Sequence, residues 1–170
     1  VVALPRVRAR VRDGWRDRWL EHNRRIVTNL LRTSAEAAHQ VNPNIVMGFM
    51  TGDRFYEGYA FAEWAEALEG ATSGPARWRP GGGFYNDDAY MGLVEKAHDI
   101  GRQVSQLPAK VTVLQSEIEN FPYQKLRKSV AITLLEAAAH MAAGATGPAF
   151  NIIGSNDALD EYLPFLDAIA

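Results

Sequence analysis

The feature that most constrains the fold of this chain is a regular alternation of amphipathic helical segments with short apolar segments. Four strands are predicted, near residues 44–50, 76–79, 111–117 and 147–153, and a helical segment precedes each of them. This order predicts an α/β fold in which parallel strands are joined by right-handed crossovers, because parallel neighbours need long connections. Four such units are half or part of a (β/α)8 TIM barrel, and an open doubly wound sheet is the alternative.

Helical periodicity assigns an apolar face to each long helix. The first predicted helix begins at Trp15 and ends before Asn42-Pro43, and core packing is expected for Trp15 and Trp19. A short helix is predicted over 61–68 and a last one over 159–168. The expected apolar faces are Trp19, Ile26, Leu30, Leu31, Ala38 and Val41 in the first helix, Met91, Val94, Ala97, Gly101 and Val104 in the third, and Val130, Leu134, Ala137, Ala138 and Met141 in the fourth.

Composition narrows the possible classes of protein. A chain of 170 residues with 47% hydrophobic and 22% charged residues predicts one soluble domain over residues 1–170, and neither a membrane span nor a signal peptide is visible. The absence of cysteine excludes disulfides, cysteine nucleophiles and thiolate metal sites within the chain. The helical histidines His39, His98 and His140 lack the spacing of metal ligands, so no metal and no cofactor are predicted. The compartment is left open, with the cytoplasm preferred.

Charge is concentrated near the start of the chain. Residues 1–32 contain nine arginines against three acidic residues, a net charge of +6, whereas the whole chain carries −2. Such a basic segment is compatible with nucleic-acid binding, but the arginines fall on an amphipathic helix and its lead-in, where a solvated face is the commoner explanation. Neither a nucleic acid nor a membrane is therefore predicted as a partner.

The stretch Lys110–Tyr123, KVTVLQSEIENFPY, carries the strongest functional signal. Its β-branched first half predicts a buried strand that runs directly into Glu117 and Glu119. Because side chains alternate along a strand, both glutamates share the face of Val111, Val113 and Gln115 if the strand stays regular. Solvated loop acids after a core strand are the competing interpretation.

Polar residues also follow the other predicted strands. Asp53 comes after the first strand, the glycines 81–83 after the second, and Asn151 lies near the end of the fourth. The glycine run matches neither the GxGxxG nor the P-loop pattern, so a close approach of the backbone to a ligand, or a turn, is expected there instead of a phosphate site. Because the carboxyl ends of parallel strands meet at one rim, these residues and Glu117 are expected along that rim.

The segment QSEIENFPY, followed by HMAAGATGPAFNI, resembles the C-terminal half of a clan-A retaining glycoside hydrolase barrel, nearest to the bacterial β-galactosidase type. The match covers most of residues 42–157 and is specific over 111–154. The resemblance implies a β-linked sugar as substrate, with Glu117 as the nucleophile and Glu119 as the competing assignment. It implies further substrate-binding positions at Asp53, Arg79, Tyr85, Asn120, Tyr123 and Asn151, and sugar-stacking aromatics among Phe55, Tyr56, Phe84 and Phe121.

This sequence departs from the family pattern at the acid/base residue. In that clan the acid/base glutamate follows an asparagine at the end of the fourth strand, and the printed sequence contains no Asn-Glu pair. We therefore expect the acid/base group to come from an N-terminal half, and the isolated chain to pair with that half or to self-associate. The alternatives are a carbohydrate-binding barrel without hydrolysis and a barrel enzyme of other chemistry. The latter usually needs a lysine at a strand end, whereas Lys110 begins its strand.

Overall fold

The computed structural model describes residues 14–52, 59–81, 84, 86–120, 127–152, 160, 163, 164 and 167. Its helices are α1 (Arg16–Val41), α2 (Phe61–Leu68), α3 (Met91–Val104) and α4 (Val130–Ala142), with one 3-10 turn at Asp87–Ala89. Its strands are β1 (Gly48–Met50), β2 (Arg77–Arg79), β3 (Gln115–Glu119) and β4 (Gly147–Asn151). The predicted alternation of helices and strands is confirmed. The predicted last helix, 159–168, lies largely outside the described residues.

The strands form two short parallel sheets. Strand β1 pairs with β2, and β3 pairs with β4 in a register that sets Glu119 opposite Asn151. An isolated parallel bridge between Trp78 and Leu114 connects β2 to β3, so the strands follow one another in chain order. The predicted α/β arrangement with parallel strands is therefore confirmed. Within the described residues these sheets do not close into a barrel, and the TIM barrel stays a prediction.

Strand β3 begins later than predicted. Val111 N–H donates to the Pro108 carbonyl at 2.9 Å, which makes a turn where the strand was expected to start. The strand extends to Glu119, beyond the predicted end at residue 117, so both glutamates lie within it. Exposure alternates along it, with Ser116 and Ile118 buried and Glu117 half-buried, so Gln115, Glu117 and Glu119 share one face as predicted. Val111, which was expected on that face as well, lies before the strand and is buried.

Aromatic packing holds α2 against the strands. Phe61, Trp64 and Trp78 form one buried cluster with Val111 and Leu114. The rings of Phe61 and Trp78 meet edge to face, with centroids 5.5 Å apart and planes at 80°, an arrangement that aromatic quadrupoles favour. Full burial of each such side chain contributes on the order of 1.5–3 kcal/mol. The buried strand residue Trp78 therefore anchors β2, the strand that carries Arg79.

The apolar face predicted for the first helix is wrong over much of its length. Trp15 and Trp19 are 69% and 62% exposed, and Leu30 is exposed as well. The buried residues of α1 are Leu20, Thr28 and Ala35, on a second stripe of the helix. Helix α1 carries apolar residues on two sides, and periodicity alone does not say which side meets α2. No helix among the described residues has the length and apolar character needed to cross a bilayer.

The buried faces of α3 and α4 also differ from prediction. Met91, Val94, Leu134 and Met141 are exposed. The buried residues of α3 are instead Leu93, Lys96, Ile100 and Gln103. Those of α4 are Thr133, Glu136 and His140 together with Ala137, which was predicted on the apolar face. Lys96, Gln103 and Glu136 turn inward because they find hydrogen-bond partners there, as shown below. Apolar periodicity assigns such polar positions to solvent.

Candidate active site

Four of the predicted site residues lie in one row across three strands. Arg79 comes from β2, Glu117 and Glu119 from β3, and Asn151 from β4. The guanidinium Nη2 of Arg79 donates to Glu117 Oε1. Asn151 Nδ2 donates to Glu119 Oε1 at 3.3 Å. The strand order therefore brings together one cation, two carboxylates and one amide, which we call the strand-end row.

The ion pair between Arg79 and Glu117 orients the carboxylate more than it stabilises the fold. The two side chains are 36% and 18% exposed, and solvent screening limits a pair of that exposure to at most about 1 kcal/mol. A guanidinium nonetheless offers rigid, directional donors to a carboxylate. Arg79 was expected to hold sugar hydroxyls, and the structure adds a contact to the candidate nucleophile itself.

Asn120 does not join the strand-end row. By strand alternation it belongs to the face of β3 that carries Ser116 and Ile118, and its side chain is buried. Its Nδ2 donates to the Ile152 carbonyl at 3.3 Å. This side-chain hydrogen bond joins Asn120 to residue 152, directly after β4.

The other predicted positions divide into two groups. Phe84 is buried, and its ring centroid lies 5.1 Å from the Lys128 ammonium, so it faces a protein cation rather than the strand-end row. The remaining predicted site residues lie outside the described residues, and they are Asp53, Phe55, Tyr56, Tyr85, Phe121 and Tyr123.

The start of the glycine run packs closely against the loop after β1. A Cβ added at Gly81 would lie 1.9 Å from the Thr51 carbonyl oxygen, so no side chain fits there. Gly81 N–H donates to Thr51 Oγ1 at 3.1 Å, and Thr51 Oγ1 donates in turn to Gln103 Oε1 at 2.9 Å. The close approach expected at this glycine is thus made to another backbone segment.

The backbone hydrogen bonds of β3 alternate between its two edges, as they do in any parallel strand. Odd-numbered residues face β2, and Trp78 N–H donates to the Val113 carbonyl at 2.9 Å. The next donor on that side would be residue 80, which is proline and has no N–H. Strand β2 therefore supplies no donor to the Gln115 carbonyl, and it ends at Arg79, before the positions that would pair with the carbonyls of Glu117 and Glu119.

Two buried lysines supply the donors at this edge. Lys96 Nζ, from α3, donates to the Glu117 carbonyl. Lys128 Nζ donates to the Glu119 carbonyl at 3.2 Å and to the Phe84 carbonyl at 2.9 Å. Lys128 therefore ties the segment after β2 to the end of β3, where a backbone ladder would otherwise run.

The carboxylate of Glu136, from α4, lies between the two ammonium groups. Its Oε1 is 3.3 Å from Lys96 Nζ, and its Oε2 accepts from Lys128 Nζ. Lys96, Lys128 and Glu136 are all buried, and we call these three residues the lysine–glutamate network. Burial lowers the pKa of both lysines, while the Glu136 carboxylate acts in the opposite direction.

His140 lies one helical turn beyond Glu136 and is also fully buried. Its Nε2 is 3.9 Å from Glu136 Oε1, and neither ring nitrogen has a hydrogen-bond partner among the described residues. Burial, followed by the positive charges of Lys96 and Lys128, lowers the pKa of His140 to about 3. The imidazole is therefore neutral at pH 7.

Sequence reasoning missed this network, although a signal for it exists. Lys96 falls between Leu93 and Ile100 at helical spacing, and Glu136 precedes the small residue Ala137 on the sheet-facing side of α4. Opposite charges on the inner faces of two successive helices favour a buried pair. The pair was not predicted because the buried faces of α3 and α4 were assigned to other residues of those helices.

In the part of the chain that the structure describes, no three histidine, aspartate or glutamate side chains are grouped as metal ligands. No protein-family model matches the sequence, and no curated protein and no solved structure matches it. The strand-end row and the resemblance of the segment around Glu117 are therefore the features that bear on function.

Proposed function

We propose that this chain carries the nucleophile of a retaining β-glycosidase and that Glu117 is that nucleophile. The observation that carries the proposal is the ion pair of Glu117 with Arg79, within a row that also holds Glu119 and Asn151. An attacking carboxylate must be held in one orientation, which the guanidinium provides. The resemblance of the segment around Glu117 to clan-A glycosidases supports the same assignment.

The proposed reaction has two displacements. Glu117 attacks the anomeric carbon while the glycosidic C–O bond breaks, and the leaving oxygen takes a proton from a general acid. Water then displaces Glu117 as the same group, now a base, removes the water proton. Configuration is retained because the carbon is inverted twice.

Glu119 is the less suitable general acid of the two carboxyls. It comes from the same strand as Glu117, whereas the two carboxyl groups of a retaining enzyme flank the scissile bond about 5–5.5 Å apart. It also accepts a hydrogen bond from Asn151 Nδ2. We assign Glu119 and Asn151 to sugar hydroxyls and propose that the acid/base glutamate comes from an N-terminal half.

Pairing with such a half, or self-association, is part of the proposal. Exposed apolar side chains lie at the start of α1 and on α4, among them Trp15, which precedes α1, Trp19 on α1, and Leu134 and Leu135 on α4. Apolar surface of this kind marks interaction sites in soluble proteins. Sedimentation of the 170 residues alone tests this part, and a monodisperse monomer contradicts it.

The test of the nucleophile is hydrolysis of a panel of nitrophenyl glycosides by the longest natural chain that contains these residues. We expect one sugar to be cleaved and Glu117→Gln to lower kcat by at least about 10³-fold, with Glu119→Gln as the matched control that keeps the larger part of the activity. Azide should restore turnover to Glu117→Ala and yield a glycosyl azide. Equal loss in both glutamine variants, or no cleavage by the wild type, contradicts the assignment.

A carbohydrate-binding barrel without hydrolysis is the second candidate. It is favoured by one observation, since both carboxyls of the strand-end row come from β3 and already have protein partners. Under this alternative Glu117→Gln still binds the sugar as tightly as the wild type, and neither protein turns it over. Calorimetric titration with the same sugars distinguishes the two functions.

A further inference from the structure

The main-chain carbonyls of Glu117 and Glu119 each accept a hydrogen bond from a lysine side chain. The Glu117 carbonyl accepts from Lys96 Nζ, and the Glu119 carbonyl accepts from Lys128 Nζ at 3.2 Å. At the other edge of β3 the partner is β4, in a register that runs from Gln115 to Glu119. At the two glutamates, one edge of β3 is therefore bonded by lysine ammonium groups and the other edge by the backbone of β4.

Each of the three N–H donors of Lys128 has an acceptor. An ammonium group has three N–H bonds and no acceptor. Lys128 directs them to the Phe84 carbonyl, the Glu119 carbonyl and the Glu136 carboxylate. These acceptors come from the segment after β2, from β3 and from α4. One side chain thus fixes three segments relative to one another.

We propose that Lys96 and Lys128 are positioning residues that hold Glu117 and Glu119 in the strand-end row through their main-chain carbonyls. The catalytic consequence rests on the proposed glycosidase function, whereas the geometric one does not. Removing an ammonium leaves the Glu117 or the Glu119 carbonyl without that donor, at an edge where β2 has already ended at Arg79. The strand then shifts, and Glu117 loses its alignment with Arg79.

The burial and the charge balance of Lys96 and Lys128 favour a positioning role over a catalytic one. Lys96 and Lys128 are buried and hydrogen-bonded, so neither ammonium reaches a substrate in the strand-end row. Glu136 is shared between them, and each single replacement by a neutral side chain leaves one lysine and one glutamate as a balanced pair. Single replacements are therefore the suitable variants, because they do not leave an uncompensated buried charge.

The absence of cysteine from the 170 residues allows the ammonium to be removed and restored chemically. Lys96→Cys or Lys128→Cys is prepared in the longest natural chain, with any cysteine elsewhere changed to serine. The unfolded protein is alkylated with iodoacetamide, which gives a neutral side chain, or with 2-bromoethylamine, which restores a lysine-like ammonium. Wild-type protein is refolded in parallel, and Lys110→Cys with the same adducts is the matched control for an exposed lysine.

For the neutral adducts we expect kcat to fall by about 10²-fold with little change in KM, because a displacement of about 1 Å costs roughly that much. The aminoethyl adducts should restore kcat to within about threefold of the wild type, and adducts at position 110 should change nothing. The guanidinium ¹⁵N signals of Arg79, assigned with Arg79→Lys, should broaden in the neutral adducts and recover in the aminoethyl ones.

A longer adduct separates position from charge. Alkylation with 3-bromopropylamine keeps the ammonium but moves it by one methylene, so positioning predicts a lower kcat and a perturbed Arg79 signal even if the neutral adducts do not refold. Unchanged kcat and an unchanged Arg79 signal in the propyl or neutral adducts overturn the proposal. If wild-type protein cleaves no glycoside, the proposed function fails while the Arg79 signal still decides the positioning role.

Discussion

The two edges of β3 are bonded by different donors. On the β4 side a backbone ladder runs from Gln115 to Glu119 and continues to Asn120, whose N–H donates to the Asn151 carbonyl at 3.2 Å. On the β2 side the backbone position opposite the Gln115 carbonyl is Pro80, which has no N–H. Strand β2 ends at Arg79, and beyond it lysine ammonium groups donate to the Glu117 and Glu119 carbonyls.

The comparison shows why the lysine donors need a counter-ion. A backbone N–H is neutral and can be buried without further cost once it is bonded, whereas a buried ammonium also needs a nearby negative charge. Glu136 meets that need for both lysines. The β2 edge of β3 is therefore sensitive to charge and pH, and the β4 edge is not.

The largest effect is expected from neutralising Glu136. Glu136→Gln keeps the shape of the side chain but leaves two buried ammonium groups without a carboxylate, which should lower the free energy of unfolding by about 3–5 kcal/mol. Urea denaturation at pH 7 measures it. The exposed Glu95→Gln on α3 is the control, with an expected change within about 0.5 kcal/mol. A loss below about 1 kcal/mol would mean that Lys96 and Lys128 do not depend on Glu136 as their counter-ion.

His140 gives a smaller effect that depends on pH. Its folded pKa of about 3 lies below the ordinary value of 6.5, so between those values the unfolded chain binds a proton that the folded chain does not. Stability should therefore fall as pH falls below 6.5, by roughly 2 kcal/mol from this residue by pH 5, and should be unaffected by it above 6.5.

The measurement is the free energy of unfolding from urea titrations at intervals between pH 7 and pH 5. His140→Gln should flatten the slope that this residue contributes, and the exposed His98→Gln on α3 should retain the wild-type slope. An unchanged slope in His140→Gln would show that the imidazole gains a proton in the folded state as readily as in the unfolded state.

The parts of the fold that follow from local pattern were predictable. Alternating periodicities gave the order of helices and strands, and strand parity placed Glu117 and Glu119 on one face. The start of β3 was not predictable from its β-branched residues, because the turn from Pro108 to Val111 is set by a backbone hydrogen bond. The prediction of the buried helix faces failed for a different reason, because the choice between two apolar sides of a helix depends on the element that packs against it.

The candidate site shows the same division. Glu117 and Asn151 were predicted together because parallel strand ends meet at one rim. Glu119 was placed beside Glu117 by strand parity, and Arg79 was predicted only from the glycosidase resemblance. The lysine–glutamate network was not predicted, because charged residues on a helix are normally assigned to solvent. The carbonyls that its lysines bond, those of Glu117 and Glu119, lie beyond the end of β2, and only the pairing of β2 with β3 reveals this.

The smallest effect is expected from giving β2 the donor that it lacks. Pro80→Ala adds an N–H opposite the Gln115 carbonyl, so a gain of about 0.5–1.5 kcal/mol from a hydrogen bond is offset by about 0.4–1 kcal/mol from greater freedom of the unfolded chain. Stability should therefore change by less than about 1 kcal/mol.

The informative measurement is the scalar coupling across a hydrogen bond from the new amide nitrogen at position 80 to the Gln115 carbonyl carbon. The reference at the other edge is the wild-type coupling from the Ala149 amide nitrogen to the Ser116 carbonyl carbon, a bond that the β3–β4 register implies. Coupling at position 80 would show that proline alone interrupts the β2 ladder, whereas coupling only at Ala149 would show that the lysines hold the chain after β2 too far from β3 for a backbone bond to form.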